Sequence, residues 1–193
     1  MYWLYKILLW FPLTILFPTI MKRKNIPKGK AILVCNHRSN MDVVVLMNKV
    51  WFKPNILAKK ELFAKKCKRR FFKQIGGIPV DRENLELSTI KTCLLKLKNN
   101  EKLIIFPEGT RNKTEDNLQA LKNGSAMLSI KSQSPIIPIW IEKKPKLFSF
   151  NKIIVGQPFF LKEFDKINAE NLKLASNKIS QKLLELSNHV NNK

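Results

Sequence analysis

Cysteine, histidine and acidic residues are all scarce in this chain of 193 residues, and each scarcity excludes something. The three cysteines, Cys35, Cys67 and Cys93, are odd in number and show no CxxC or CxxH spacing, which argues for a reducing compartment and against a disulfide framework or a zinc centre. Only two histidines are present. His189 lies in the polar tail with no motif around it, so any histidine chemistry falls on His37. Cys35 lies two positions before His37, but as the last residue of an apolar run it reads as a small core residue rather than a nucleophile. No cluster of further ligands stands out, and no metal is expected. Against 14 Asp and Glu stand 36 Lys and Arg, a formal charge of +22. Such an excess points to an anionic partner, whether nucleic acid, an acidic carrier protein or an anionic membrane face, although part of it is solvated surface in a Lys- and Asn-rich chain. No nucleic-acid-binding signature accompanies the basic stretches, so no nucleic acid partner is expected. Repeats and linkers are absent, and the length suits one domain burying about 70% of its unfolded surface.

The longest apolar stretch opens the chain. Residues 1–21, MYWLYKILLWFPLTILFPTIM, precede the basic run Lys22, Arg23 and Lys24. Lys6, Pro12 and Pro18 interrupt it, and its length sits near the lower limit for a span of ~20 residues. It has neither a basic n-region nor a small-residue cleavage site, so a cleaved signal peptide is not expected. Tyr2, Trp3, Tyr5 and Trp10 favour a headgroup interface, and the basic run would keep the following domain on the cytoplasmic side. The expectation is a retained membrane anchor at 1–21, interfacial or shallowly inserted, ahead of a catalytic domain at 22–193. A full span and a buried core helix are the alternatives. The location implied is the cytoplasmic face of a cell membrane, with a bacterial inner membrane as the candidate.

The organising stretch is residues 31–42, AILVCNHRSNMD. Its apolar start predicts a short buried strand, the polar knot Asn36 to Asn40 a turn, and residues 41–50 a helix. His37 then sits on a strand-to-helix turn, where catalytic side chains are commonly displayed. Asp42 follows after four intervening residues, so a turning chain can fold its carboxylate onto the imidazole, fix the tautomer and stabilise the imidazolium, as a general base requires. By itself such a pair is more often a structural contact. A second polar motif, FPEGTR at residues 106–111, also ends an apolar strand (102–106) and also precedes a helical pattern.

Together NHRSNMD and FPEGTR resemble the glycerolipid acyltransferase family, most closely the 1-acylglycerol-3-phosphate acyltransferases, whose signature is N-H-x-S-x-x-D followed further along by F-P-E-G-T-R-S. Asn112 stands where Ser is usual, outside the residues assigned a role. KKEL at 59–62 with GGIPVDR at 76–82, and SPIIPIWIE at 134–142, match lesser blocks in the same order. The resemblance implies transfer of an acyl group from a thioester to the sn-2 hydroxyl of lysophosphatidic acid, giving phosphatidic acid for phospholipid biosynthesis. It gives His37 the role of base and Asp42 that of orienting it. Glu108, Gly109, Thr110 and Arg111 serve the acceptor: Arg111 suits the phosphate, Glu108 a glycerol hydroxyl, and Gly109 keeps the backbone close. An internal Glu108–Arg111 ion pair is the structural alternative. Lys59 and Arg82 are further phosphate candidates. No cofactor is implied; acyl-CoA or acyl carrier protein is the donor substrate, and anionic membrane lipids are the surrounding partners. Another lysophospholipid, glycerol 3-phosphate or an aminolipid as acceptor is the nearest alternative, and a non-catalytic basic protein binding membrane or nucleic acid the furthest.

The remaining pattern predicts an α/β domain with a mostly parallel mixed sheet flanked by helices. Strands are expected at 54–58, 78–80, 136–141 (broken by Pro138) and 152–156. A helix follows Asn84 with Leu87, Ile90, Leu94 and Leu97 at helical spacing, and Leu172, Ala175, Ile179, Leu183, Leu186 and Val190 mark a C-terminal one. Strand, helix, strand implies parallel pairing and right-handed crossovers. The basic, aromatic segment 62–74 suits anionic headgroups. Gly124 interrupts the pattern after FPEGTR, either as a turn or as a helix N-terminus able to approach a phosphate.

Overall fold

The computed structural model of the protein describes residues 2–22, 25–81, 86–112, 118–164 and 166–191, the side chains of 189–191 excepted. In chain order the elements are α1 (Tyr2–Leu16), β1 (Thr19–Met21), β2 (Ala31–Cys35), α2 (Met41–Lys49), β3 (Asn55–Lys59), a 3-10 turn (Lys60–Phe63), α3 (Lys66–Gln74), β4 (Gly77–Val80), α4 (Leu87–Lys98), β5 (Lys102–Ile105), α5 (Gly124–Ser132), β6 (Ile136–Ile141), β7 (Asn151–Val155) and α6 (Ala169–Asn191). The strands form one sheet in the order β1-β7-β6-β2-β5-β3-β4. Every described pairing is parallel except β6 with β7.

β2 is apolar throughout because both its faces are covered. Ala31, Leu33 and Cys35 pack with Val45 and Leu46 of α2, with Val50 just beyond it and with Phe17 after α1. Ile32 and Val34 pack on the opposite face with Cys93 and Leu97 of α4, Ala126 and Leu128 of α5, and Ala175, Ile179 and Leu183 of α6. The crossover through α2 carries the chain from β2 to β3 on one face, whereas α5 carries it from β5 to β6 on the other. Right-handed crossovers leaving in opposite directions from the neighbours β2 and β5 open a crevice at their carboxyl ends, where an open α/β sheet binds its ligands.

Three local features differ from the expected pattern. Thr19–Met21, placed with the apolar anchor by hydropathy, is an edge strand paired with Asn151–Ile153. Pro138 does not break β6: its carbonyl accepts from the Gly156 N–H at 2.9 Å on the β7 side, just beyond the β7 ladder, which begins at Ile139, so the β2 ladder does not need the N–H that proline lacks. Lys6, which interrupts the apolar start, points inward. Its Nζ donates to the Met47 and Asn48 carbonyls at 2.6 and 2.7 Å, where the α2 C-terminus leaves carbonyls unpaired and favours a cation. α1 is consequently inside out, with Lys6 and Tyr2 buried while Leu4, Ile7, Leu8 and Phe11 are exposed. Among the described residues no helix is long and apolar enough to cross a membrane.

Candidate active site

His37 follows β2 and Phe106 follows β5, so the crevice brings the two motifs together. The His37 Nδ1 lies 2.9 Å from Asp42 Oδ2, in the first turn of α2. The same oxygen accepts the Arg38 and Ser39 N–H groups at 2.7 and 2.6 Å, which fixes the fully buried carboxylate before the ring meets it. Asp42 Oδ1 has no hydrogen-bond partner among the described residues. Because the carboxylate accepts, Nδ1 carries the proton and Nε2 presents its lone pair. The ring also lies against Phe106, with centroids 4.4 Å apart. A base held in one tautomer against an apolar wall can take a proton from a hydroxyl.

The FPEGTR loop supports this histidine from behind. Glu108 is buried, not open to the crevice: Oε1 accepts the His37 N–H at 2.8 Å and Oε2 the Gln119 N–H at 3.2 Å, with a further hydrogen bond from the Asn112 side chain. Burial raises its pKa above the ordinary carboxyl value, and these hydrogen bonds oppose the shift without cancelling it. Asn112, set aside as a departure from the motif, is itself buried and donates its N–H to the His37 carbonyl at 2.7 Å. The His37 main chain is thus gripped at both its N–H and its C=O by the second motif. Asn36 ties the same turn to the neighbouring strand, accepting the Ile141 N–H at 2.8 Å and donating to the Ile141 carbonyl at 3.1 Å. The only sequence signal for these supports is their position inside the motifs.

Gly109 has φ +70, a left-handed conformation that disfavours any side chain, while the 2.8 Å approach of a Cβ to Lys122 Cε could be relieved by the flexible lysine. The Thr110 hydroxyl donates to Gln119 Oε1 at 3.0 Å. Arg111 is exposed and, among the described residues, forms no ion pair, with Glu108 or any other carboxylate. Lys59 reaches the same sheet edge at the end of β3, roughly 10 Å from β2 at the usual strand spacing, where it pairs with Glu61 at 3.3 Å with both side chains half exposed. Lys60 pairs with Asp81 after β4. Arg82 lies outside the described residues. Burial, with the Asp42 and Glu108 charges added, pushes the Cys35 thiol well above its ordinary pKa, so it has no thiolate to offer as a nucleophile.

Beside the loop lies a cavity of about 300 Å³, lined by apolar side chains including Leu57, Ile90, Cys93, Ile105 and Leu128 and also by Pro107, Gly109 and the first residues of α5. Gly124 opens α5 at that wall, and the buried Ser125 hydroxyl beside it has no partner among the described residues.

Residues 18–142 match the model of the Acyltransferase family. The chain belongs to that family. A 1-acyl-sn-glycerol-3-phosphate acyltransferase of Bacillus subtilis is 31% identical over 183 residues, covering 89% of this chain and 88% of the relative. One of Helicobacter pylori is 34% identical over 125 residues, covering 63% of this chain and 52% of the relative. Among solved structures, the 1-acyl-sn-glycerophosphate (LPA) acyltransferase PlsC from Thermotoga maritima shares the fold, with TM-score 0.69, 24% identity, and coverage of 94% of this chain and 76% of that one. Within this acyltransferase the His37 turn and the Phe106–Arg111 loop therefore lie inside the family's matched region.

Proposed function

We propose that this acyltransferase moves a fatty acyl group from a thioester to the sn-2 hydroxyl of 1-acylglycerol 3-phosphate, making phosphatidic acid. The observation that carries the reading is the His37–Asp42 pair held against the Phe106–Arg111 loop at the crevice; the name shared by its relatives supplies the acceptor. His37 Nε2 removes the hydroxyl proton as the oxygen attacks the thioester carbonyl. The imidazolium, stabilised by Asp42, returns the proton to the departing thiolate as the tetrahedral intermediate collapses. The acceptor hydroxyl is the nucleophile, so no acyl-enzyme forms. The apolar cavity beside Phe106 supports an acyl substrate, and acyl-CoA or acyl carrier protein serves as donor. Comparing thiol release with lysophosphatidic acid, glycerol 3-phosphate and a zwitterionic lysophospholipid tests the acceptor; preference for either of the latter two would overturn it.

In this reading Arg111 grips the acceptor phosphate, supported by its exposure at the mouth of the loop. Arg111→Lys keeps the charge but loses the bidentate fork, and should raise the acceptor KM with little effect on the donor. Arg111→Ala should raise it further, since a hydrogen bond to a charged group contributes about 1.5–3 kcal/mol. Equal losses toward both substrates with a lowered melting point would instead make Arg111 a brace for the loop.

The protein works at the cytoplasmic face of a membrane, with α1 lying in the interface. The inside-out arrangement of α1 supports this, as does the basic helix α3, which carries no buried residue. Deleting α1 would uncover the core around Phe17 and Val45, so the appropriate test is substitution of its outward residues. Changing Leu4, Ile7, Leu8 and Phe11 to serine should shift the protein from the membrane to the soluble fraction with the fold retained. Undiminished sedimentation with neutral vesicles at high salt would remove α1 from the interface.

A further inference from the structure

Within the β6–β7 connection, residues 143–150 read KKPKLFSF, and the connection leaves the sheet on the catalytic edge. β6 ends beside the His37 turn, where Arg38 donates to the Glu142 carbonyl at 3.2 Å. The connection is fixed at its base. The Asn151 side chain accepts the Lys143 N–H at 3.1 Å and donates to the Lys143 carbonyl at 2.7 Å, and Pro145 is buried. The Ser149 N–H closes a turn on the Lys146 carbonyl at 3.3 Å, and the Phe148 N–H is given to the Leu16 carbonyl, at the end of α1, at 2.7 Å.

On this held backbone the apolar side chains face outward, with Leu147 60%, Phe148 70% and Phe150 56% exposed. Phe148 occupies the third position of the turn with φ +55, a left-handed conformation that favours glycine or asparagine and is costly for a bulky residue. Folding alone gives little reason for a strained aromatic ring left 70% exposed, and such strain concentrates at functional sites. Lys143, Lys144 and Lys146 are exposed beside these rings, with Lys143 only loosely near Glu142 at 3.9 Å. Apolar tips flanked by cations match the layered chemistry of an anionic bilayer surface: phosphates outside, acyl chains just beneath.

We infer that residues 143–150 form a second lipid contact, distinct from α1, that inserts Leu147, Phe148 and Phe150 into an anionic bilayer and turns the His37 crevice toward it. The link from Leu16 through Phe148 makes this contact continuous with α1. The inference rests on the membrane reading above and adds the orientation of the crevice: an acceptor then reaches His37 from the lipid layer without crossing bulk water.

The test uses the full chain and mixed phosphatidylcholine/phosphatidylglycerol vesicles. The triple variant Leu147→Ser, Phe148→Gly, Phe150→Ser should bind on the order of 10- to 100-fold more weakly, a loss persisting at high salt. Lys143→Ala, Lys144→Ala and Lys146→Ala together should weaken binding only at low salt. Phe148→Gly alone should reduce binding while leaving the melting temperature unchanged or raised, because glycine relieves the left-handed strain. Transfer to a short-chain acceptor free in solution should match that of the unmodified protein. Unchanged vesicle binding by the triple variant overturns the inference. So does a lowered melting point of Phe148→Gly, which would give the ring to the fold, or impaired transfer to the soluble acceptor, which would give the loop to substrate handling. Vesicle binding is read without turnover, so a failure of the acyltransferase reading is seen separately, as absent transfer in every form.

Discussion

His37→Ala should lower turnover by about 10²- to 10⁴-fold or more, because general base catalysis contributes that much and, among the described residues, no other imidazole stands at the His37 turn. The substitution is not innocuous to the fold: His37 is buried, and its removal takes one partner from the fully buried Asp42 carboxylate. Asp42 keeps the Arg38 and Ser39 N–H groups, so the native fold should persist with a modestly lowered melting point. Asp42→Asn should cost less activity than His37→Ala. An asparagine carbonyl in the place of Oδ2 can accept the same three donors while its amide takes the unpartnered place of Oδ1, so the ring stays oriented and only the charge that stabilises the imidazolium is lost. Measuring turnover and melting curves for both variants checks this. An Asp42→Asn enzyme slower than His37→Ala would show that the carboxylate does more than hold and stabilise the ring.

Glu108→Ala should be the next most damaging change, through geometry rather than through contact with substrate. It leaves the His37 and Gln119 N–H groups without their acceptor, and each unsatisfied buried group costs about 1–3 kcal/mol. The melting point should fall and turnover drop by roughly 10- to 100-fold as the His37 turn loosens, with the acceptor KM little changed. Were Glu108 instead to grip a glycerol hydroxyl, KM would rise at constant stability. Glu108→Gln adds a pH signature. Burial raises the folded-state pKa, so the folded protein holds this proton more tightly than the unfolded chain. The associated stability is fully present below the ordinary value of 4.5 and is lost as pH rises through the folded value. The stability of the native protein relative to Glu108→Gln should therefore decline as pH rises above 4.5; a constant difference would mean that the group titrates normally.

Much of the sheet is legible in the chain because strands covered on both faces read as unbroken apolar runs with polar ends. β2, β5 and β6 announce themselves that way, and the helix after His37 follows from its pattern. β1 is invisible for a related reason: three residues at the end of a longer apolar stretch carry no period that separates an edge strand from an interfacial helix. Lys6 reads as a flaw in an apolar segment until the α2 carbonyls it caps are in place. In the site, the meeting of His37 and Asp42 is local and so readable. Glu108, three positions before Arg111, reads in sequence as a contact to the acceptor or as the arginine's ion-pair partner, whereas the fold sends the carboxylate inward to the His37 backbone and leaves Arg111 exposed. That division depends on contacts 71 positions apart, which no local pattern encodes. Asn112 escaped for the same reason: its main-chain N–H meets the His37 carbonyl and its side chain the Glu108 carboxylate, and the first of these spans most of the chain between the two motifs.

The central claim is that the His37–Asp42 pair activates a lysophospholipid hydroxyl for attack on a thioester. Its most direct test supplies the purified full chain with a labelled acyl thioester and unlabelled 1-acylglycerol 3-phosphate, and follows both the free thiol and the position of the label. The account predicts one thiol released per phosphatidic acid formed, the label wholly at sn-2, and both products formed at least about 10²-fold more slowly by His37→Ala. Thiol release without phosphatidic acid, or label transfer by His37→Ala at the native rate, would contradict it.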